Sequence, residues 1–136
     1  MSVQKPTVFI VHNNKDISAL LAGIFWLKGF ESSKFTDGKE CLKRFRDMDG
    51  NVDALVINQE IALDNDLMLI LNTKRINPNS KILVIADKES DETKMYEYGA
   101  DEVALIPLSP IDVTDKLILL ISKSKGLERQ NDLVWL

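Results

Sequence analysis

The run Val8-Phe9-Ile10-Val11 is continuously apolar and rich in branched side chains. Three further runs share this character, namely Ala54-Leu55-Val56-Ile57, Ile82-Leu83-Val84-Ile85 and Val103-Ala104-Leu105-Ile106. Short runs of this kind are typical of strands that are covered on both faces, as in a parallel sheet between two layers of helices. A weaker run from Glu31 to Phe35 has polar residues at most positions and therefore predicts a strand at the sheet edge.

Segments with helical spacing of apolar residues lie between these runs. The spacing predicts helices over Asp16–Leu27, from Asp37 to just before Gly50, over Asp64–Ile76, from Ser90 to just before Gly99, and from Ser109 to about Ser124. The first helix is followed by Gly29, a suitable left-handed residue. Strand and helix thus alternate five times, which predicts a single α/β domain, doubly wound as (βα)5, with right-handed crossovers and helices on both faces of the sheet.

Length and composition fit this architecture, because 136 residues with 45% hydrophobic side chains suffice for one globular core. We assign residues 1–125 to the domain and 126–136 to a C-terminal tail. A net charge of -4 disfavours a nucleic-acid or anionic-membrane partner. The single Cys41 excludes an intramolecular disulfide and is expected to be a buried, inert thiol. Without a signal-like start or a long apolar segment, we expect a cytoplasmic protein.

The carboxyl ends of the strands, where ligands bind in sheets of this kind, carry no acid, hydroxyl or lysine. A hydrogen-bonded structural imidazole is the favoured interpretation of His12, ahead of a metal ligand or a pH sensor. Asn58, taken alone, is typical of an Asx turn. Glu60, Asp64 and Asp66 are expected to be helix-capping and solvated loop residues rather than a cation site.

Three phrases at characteristic spacing, Phe35-Thr36-Asp37-Gly38, Gly99-Ala100-Asp101-Glu102 and Pro107-Leu108-Ser109-Pro110, resemble the response-regulator receiver family, the CheY-like domains of two-component signalling. The resemblance extends from about Thr7 to Lys123. It implies a flavodoxin/CheY-like fold with a five-stranded parallel sheet of order 2-1-3-4-5.

Receivers of this family accept a phosphoryl group from a histidine kinase on an Asp after the third strand. That Asp, acids after the first strand and a backbone carbonyl hold a divalent metal. In this sequence the acid pair falls on His12 and Asn13, and the acceptor falls on Asn58. The resemblance therefore implies a pseudo-receiver that lacks the phosphoacceptor carboxylate.

The remaining functional positions of the family are also replaced. The hydroxyl after the fourth strand falls on Ala86, and the aromatic residue that rotates with it falls on Val103. The lysine falls on Ile106, and only the following Pro107 keeps the residue of the family. The resemblance therefore implies that the switch is dismantled together with the acceptor.

These replacements change the chemistry that the site can perform. An amide oxygen is not an anionic nucleophile, so Asn58 should form no acyl phosphate. Mg²⁺ depends on anionic hard oxygen ligands, and the neutral His12, Asn13 and Asn58 supply none. We therefore expect no catalytic residue, no metal, no cofactor and no enzyme activity. The predicted function is that of a stand-alone signalling protein that acts through protein contacts. The alternative is a small-molecule-binding domain with a ligand at the neutralised sheet end.

The last helix carries more apolar residues than one face can bury. One interpretation is that the apolar tetrapeptide 133–136 folds back over it. The other is an interface for a histidine kinase, another signalling component or a second copy of the chain, since large exposed apolar patches indicate association. Its candidate residues are Ile111, Ile118, Leu119 and Trp135. The resemblance favours this surface, because receivers commonly dimerise through their fourth helix, fifth strand and fifth helix. Periodicity does not decide whether Trp26 is buried or exposed.

Overall fold

The computed structural model describes residues 5–64, 68–87, 92–106 and 109–124. Five parallel strands form one sheet in the order β2-β1-β3-β4-β5. Their bounds are β1 Thr7–Val11, β2 Glu31–Phe35, β3 Ala54–Asn58, β4 Lys81–Ala86 and β5 Glu102–Leu105. The predicted fold class and strand order are confirmed, and the polar strand β2 lies at a sheet edge.

Six helices cover the sheet in the described part of the chain: α1 Lys15–Leu27, α2 Gly38–Asp47, α3 Gln59–Leu63, α4 Met68–Ile76, α5 Glu92–Tyr98 and α6 Pro110–Ser124. Helices α1 and α6 pack on one face of the sheet, and helices α2 to α5 pack on the other. The central strand β3 is buried along its whole length. This two-sided burial is the reason why the strands carry continuous apolar runs. Among the residues that the structure describes, no helix has the length and apolarity needed to cross a membrane.

The predicted helix Asp64–Ile76 is wrong at its start. A one-turn helix, α3, follows β3 directly because the Asn58 side chain accepts a hydrogen bond from the backbone N–H of Ile61 and so caps the turn. Asp64 ends this turn in an extended conformation, so it lies at the C-terminus of a helix rather than near an N-terminus. The next helix, α4, begins at Met68. Asp66 lies outside the described residues.

The end of α1 shows how local chemistry fixes the path of the chain into the edge strand. Gly29 adopts a φ of 91°, and its N–H donates to the carbonyl of Trp26. The N–H of Phe30 donates to the carbonyl of Phe25, and the two rings pack edge to face at 6.2 Å. This pair of bonds with its apolar contact is a Schellman motif. It turns the chain directly from α1 into β2.

Candidate functional site

A cleft of about 590 Å³ lies at the carboxyl edge of the sheet. Four of the predicted site residues, His12, Asn13, Asn58 and Ile106, line this cleft together. The structure therefore brings the positions at the ends of β1, β3 and β5 to one place. Glu60 of α3 and Asp87, which follows β4, add carboxylates to the cleft, and the remaining lining residues are Asn14, Ile17, Gln59, Leu63 and Ile85.

A continuous series of hydrogen bonds links three polar side chains that line the cleft, those of Asn58, Asn13 and Glu60. The Asn58 amide Nδ2 donates to Asn13 Oδ1 at 2.9 Å, and Asn13 Nδ2 donates to Glu60 Oε2 at 2.6 Å. At the other end, Asn58 Oδ1 accepts from the backbone N–H of Ile61 at 3.3 Å. We call this series of hydrogen bonds, from Glu60 through Asn13 and Asn58 to the N–H of Ile61, the amide relay. It joins the loop after β1 to the start of α3.

The direction of the amide relay is fixed at both ends. A carboxylate only accepts hydrogen bonds, so Asn13 must present its NH₂ group to Glu60. Its oxygen then faces Asn58, which must present its own NH₂ group in turn. The remaining Asn58 oxygen meets the N–H of Ile61, which only donates. Each polar group therefore meets a partner of opposite kind, and the amide of Asn58 matches both of its neighbours.

His12 is buried at the end of β1 and does not join the amide relay. Its Nδ1 accepts a hydrogen bond from the backbone N–H of Asn14 at 3.0 Å, which requires the neutral form with the proton on Nε2. Burial lowers the pKa of His12, and the negative charge of Glu60 offsets part of this effect. The imidazole is therefore a neutral structural group at pH 7.

The lowered pKa of His12 predicts a pH dependence of stability. In the unfolded chain His12 has its ordinary pKa near 6.5, whereas in the folded protein the pKa of His12 is lower. The free energy of unfolding should therefore be highest above pH 6.5 and decrease as the pH falls towards the folded pKa. Urea unfolding at pH 7.5 and 5.5 measures this, and His12→Gln, which has no titrating ring, is the control. An equal pH dependence in both proteins would contradict the assignment.

Ala86 and Val103 do not line the cleft. Both are buried in the apolar cluster on the α2 to α5 face of the sheet, so the two residues that the resemblance matches to the family's switch pair are core residues in this protein. Ile106 is exposed at the rim, and its backbone N–H donates to the carbonyl of Ala86 at 2.8 Å. Pro107 lies outside the described residues.

The donor set of this cleft does not fit Mg²⁺. His12, Asn13 and Asn58, which the resemblance matches to the family's ligand positions, are neutral, and the two amides are engaged in the relay. The nearest carboxylate, Glu60, already accepts from Asn13. Over the described ranges, no three His, Cys, Asp or Glu side chains are grouped so that they could hold a metal ion. Magnesium favours several anionic oxygens and keeps its waters otherwise.

The candidate interface residues on α6 differ in burial. Ile111 and Leu119 are exposed by 58% and 62%, whereas Ile118 is partly buried against the core. Trp135 lies outside the described residues, and so does the apolar tetrapeptide 133–136 that one of the two interpretations folds back over the helix. Trp26 on α1 is exposed by 66%. Exposed large apolar side chains therefore lie on α1 as well as on α6.

Two functional residues of the cleft have roles that the sequence did not indicate. Glu60 was assigned only a capping or loop role, yet it anchors the amide relay through Asn13, 47 residues away in the chain. Gln59 was given no role, although its Oε1 accepts from the backbone N–H of Asp87 at 2.8 Å, across 28 residues. Neither residue belongs to a local pattern, because both partners are distant in sequence.

Comparison with protein-family models finds no match for this chain. A curated relative is the uncharacterized transcriptional regulatory protein YclJ of Bacillus subtilis, which is 23% identical over 120 residues. The match covers 88% of this chain and 52% of the relative, so the chain spans about half the length of that protein.

Solved structures show the same architecture. A CheY-like response regulator receiver domain protein from Methanospirillum hungatei superposes with a TM-score of 0.78 at 16% identity, covering 90% of this chain and 98% of that one. The response regulator TrrA of Thermotoga maritima, solved in complex with Mg²⁺-BeF, gives a TM-score of 0.73 at 20% identity, with 85% and 98% covered. The chain has the fold of the CheY-like response-regulator receiver domains.

Proposed function

We propose that this protein is a cytoplasmic, receiver-like component of two-component signalling that acts through protein contacts without aspartyl phosphorylation. The observation that supports the proposal is the hydrogen-bonded amide of Asn58, the residue that the resemblance matches to the phosphoacceptor. Its nitrogen donates to Asn13 and its oxygen accepts from Ile61, so the group is both non-nucleophilic and already engaged. The receiver fold supports the signalling role, and a histidine kinase or another signalling component is the expected class of partner.

Incubation with acetyl phosphate and Mg²⁺ tests the absence of phosphorylation. Intact-mass measurement should show no adduct of about 80 Da, because no carboxylate lies at the acceptor position. A receiver domain with an intact acceptor Asp, treated in the same reaction, is the positive control. A stoichiometric and base-labile adduct on this protein would overturn the proposal.

A second candidate function is small-molecule binding in the cleft. Its volume of about 590 Å³ favours this candidate, because it lies within the range of roughly 300–1,000 Å³ of small-molecule sites. Thermal melting with nucleotides and flavins distinguishes the two functions. A ligand at a hundred times its dissociation constant adds about 2.7 kcal/mol, and a panel without any shift removes this candidate.

A further inference from the structure

Helix α1 has an outer surface that is unusual for a helix on the outside of a protein. Between Asp16 and Lys28 it contains no charged residue. Leu20, Trp26 and Leu27 are nevertheless exposed by 53%, 66% and 75%. A surface helix normally places polar and charged side chains on the face that points away from the core. The outer face of α1 is therefore apolar where water-exposed polar groups are the rule.

This exposed surface is separate from the face that stabilises the fold. Ser18, Leu21 and Phe25 are the buried residues of α1 and form its inner stripe. Leu20 and Leu27 lie two turns apart on the opposite side, so the core does not account for them. Exposed apolar area of this kind marks an interaction site.

The shape of the outer face indicates that its partner is a helix. Two small residues, Ala19 and Gly23, stand one turn apart on the exposed side. A Cβ added at Gly23 would meet no atom within 4 Å, so the space above it is open. Leu20 and Leu27 flank this low point on one side, and Trp26 flanks it on the other. A second helix backbone can therefore approach α1 closely and be held between these large side chains.

A groove of about 630 Å³ lies beside this low point. It is bounded by Gly23 and Trp26 of α1 and by Ser32 of the edge strand β2. Arg44 and Met48 of α2 form its far wall. The groove is adjacent to the apolar face and provides room for a bulky side chain from the helix that docks there.

We propose that the occupant is a second copy of this chain, with α1 packed antiparallel against α1 across a two-fold axis near Gly23. The proposal rests on the proposed action through protein contacts and names one such partner. A two-fold axis pairs a surface with itself, and the stretch of α1 between Asp16 and Lys28 brings no like charges together in doing so. Antiparallel packing also sets Asp16 at the same end of the helix pair as the partner's Lys28. Trp26 is the bulky side chain that the facing groove receives.

Disulfide trapping tests this geometry on the full chain. Gly23→Cys places a thiol next to the axis, Ala19→Cys places one a helical turn away from it, and the native Cys41 does not interfere with either variant. Cys41 is fully buried, and burial raises the pKa of its thiol to about 12. Mild oxidation should convert at least one of the two variants to a covalent dimer. Leu119→Cys, which is also exposed but lies on α6, should stay uncrosslinked. Preferential trapping of Leu119→Cys, or no trapping at either α1 position, would overturn the proposal.

Light scattering of the full chain provides the second measurement. The unmodified protein should have the mass of a dimer, and Leu20→Glu should weaken its association by about 100-fold or more by burying an unpaired carboxylate. Leu119→Glu is the matched control and should leave the mass unchanged. A wild-type monomer, or a dimer broken by Leu119→Glu and not by Leu20→Glu, would refute this interface. Either result leaves the acetyl phosphate experiment unaffected, so the two proposals fail separately.

Discussion

The variant Asn58→Asp should be less stable than the wild-type protein by about 2 to 3 kcal/mol at pH 7, although the change replaces a single NH₂ group with oxygen. The Asn58 amide donates to Asn13 Oδ1, and an introduced carboxylate presents an acceptor to that acceptor. Asn13 cannot reverse its amide without turning its oxygen towards the carboxylate of Glu60. A pair of like groups therefore remains in either orientation, partly buried when it is Asn13 with position 58 and exposed when it is Asn13 with Glu60.

The loss of stability in Asn58→Asp should depend on pH. Burial without a cation raises the pKa of the introduced carboxylate above its ordinary value. The folded state then binds the proton more tightly than the unfolded state, so the loss of stability should shrink as the pH falls through the folded pKa. Urea unfolding at pH 7 and pH 5 measures the difference. Asn51→Asp, the same change at an exposed position, should lie within about 0.5 kcal/mol of the wild type.

The change Glu60→Gln should rescue Asn58→Asp. An amide at position 60 can donate to Asn13, which then reverses and donates to the carboxylate at position 58, so that the direction of the relay is inverted without an unmatched pair. The double variant keeps the net charge of -4 and should recover at least about 1 kcal/mol relative to Asn58→Asp. Glu60→Gln alone should cost less than about 1 kcal/mol. Strictly additive effects would show that the relay does not couple these positions.

Restoring three carboxylates should convert the cleft into a magnesium site. We expect the triple variant His12→Asp, Asn13→Asp, Asn58→Asp to melt well below the wild type without metal, because unit charges 4 Å apart repel by roughly 4 kcal/mol at an effective dielectric of 20. Added Mg²⁺ neutralises this repulsion and binds only the folded state. At a hundred times its dissociation constant it should return about 2.7 kcal/mol, whereas the wild type should show no shift.

Thermal melting across a series of Mg²⁺ concentrations measures this effect. If the triple variant does not fold without metal, the double variant His12→Asp, Asn58→Asp, which has one carboxylate fewer, is tested in the same way. A magnesium-dependent shift in the wild type would contradict the neutral character of its cleft. If Mg²⁺ shifts the melting temperature of neither variant, the arrangement of the carboxylates, rather than their charge, prevents magnesium binding.

Much of this architecture is readable from the sequence because it depends on local patterns. Continuous apolar runs specify strands buried on both faces, and the polar run from Glu31 to Phe35 specifies the edge. Gly29 marks the end of α1, because glycine readily adopts the left-handed conformation that ends a helix. The sequence also predicts that His12 and Asn58 lie near each other, since both are at the carboxyl ends of parallel strands, which share one edge of the sheet.

The tertiary structure alone decides which groups meet across that edge. The contacts of Asn13 with Glu60 and Asn58 span 47 and 45 residues, and no periodicity encodes such pairs. The burial of α1 also depends on tertiary structure. Its apolar residues are compatible with burial on several sides, but the sheet and α6 cover only the side of Ser18, Leu21 and Phe25. Local hydrogen bonding and hydrophobic period fix the elements, whereas the partners of polar groups and the faces left exposed depend on how those elements pack.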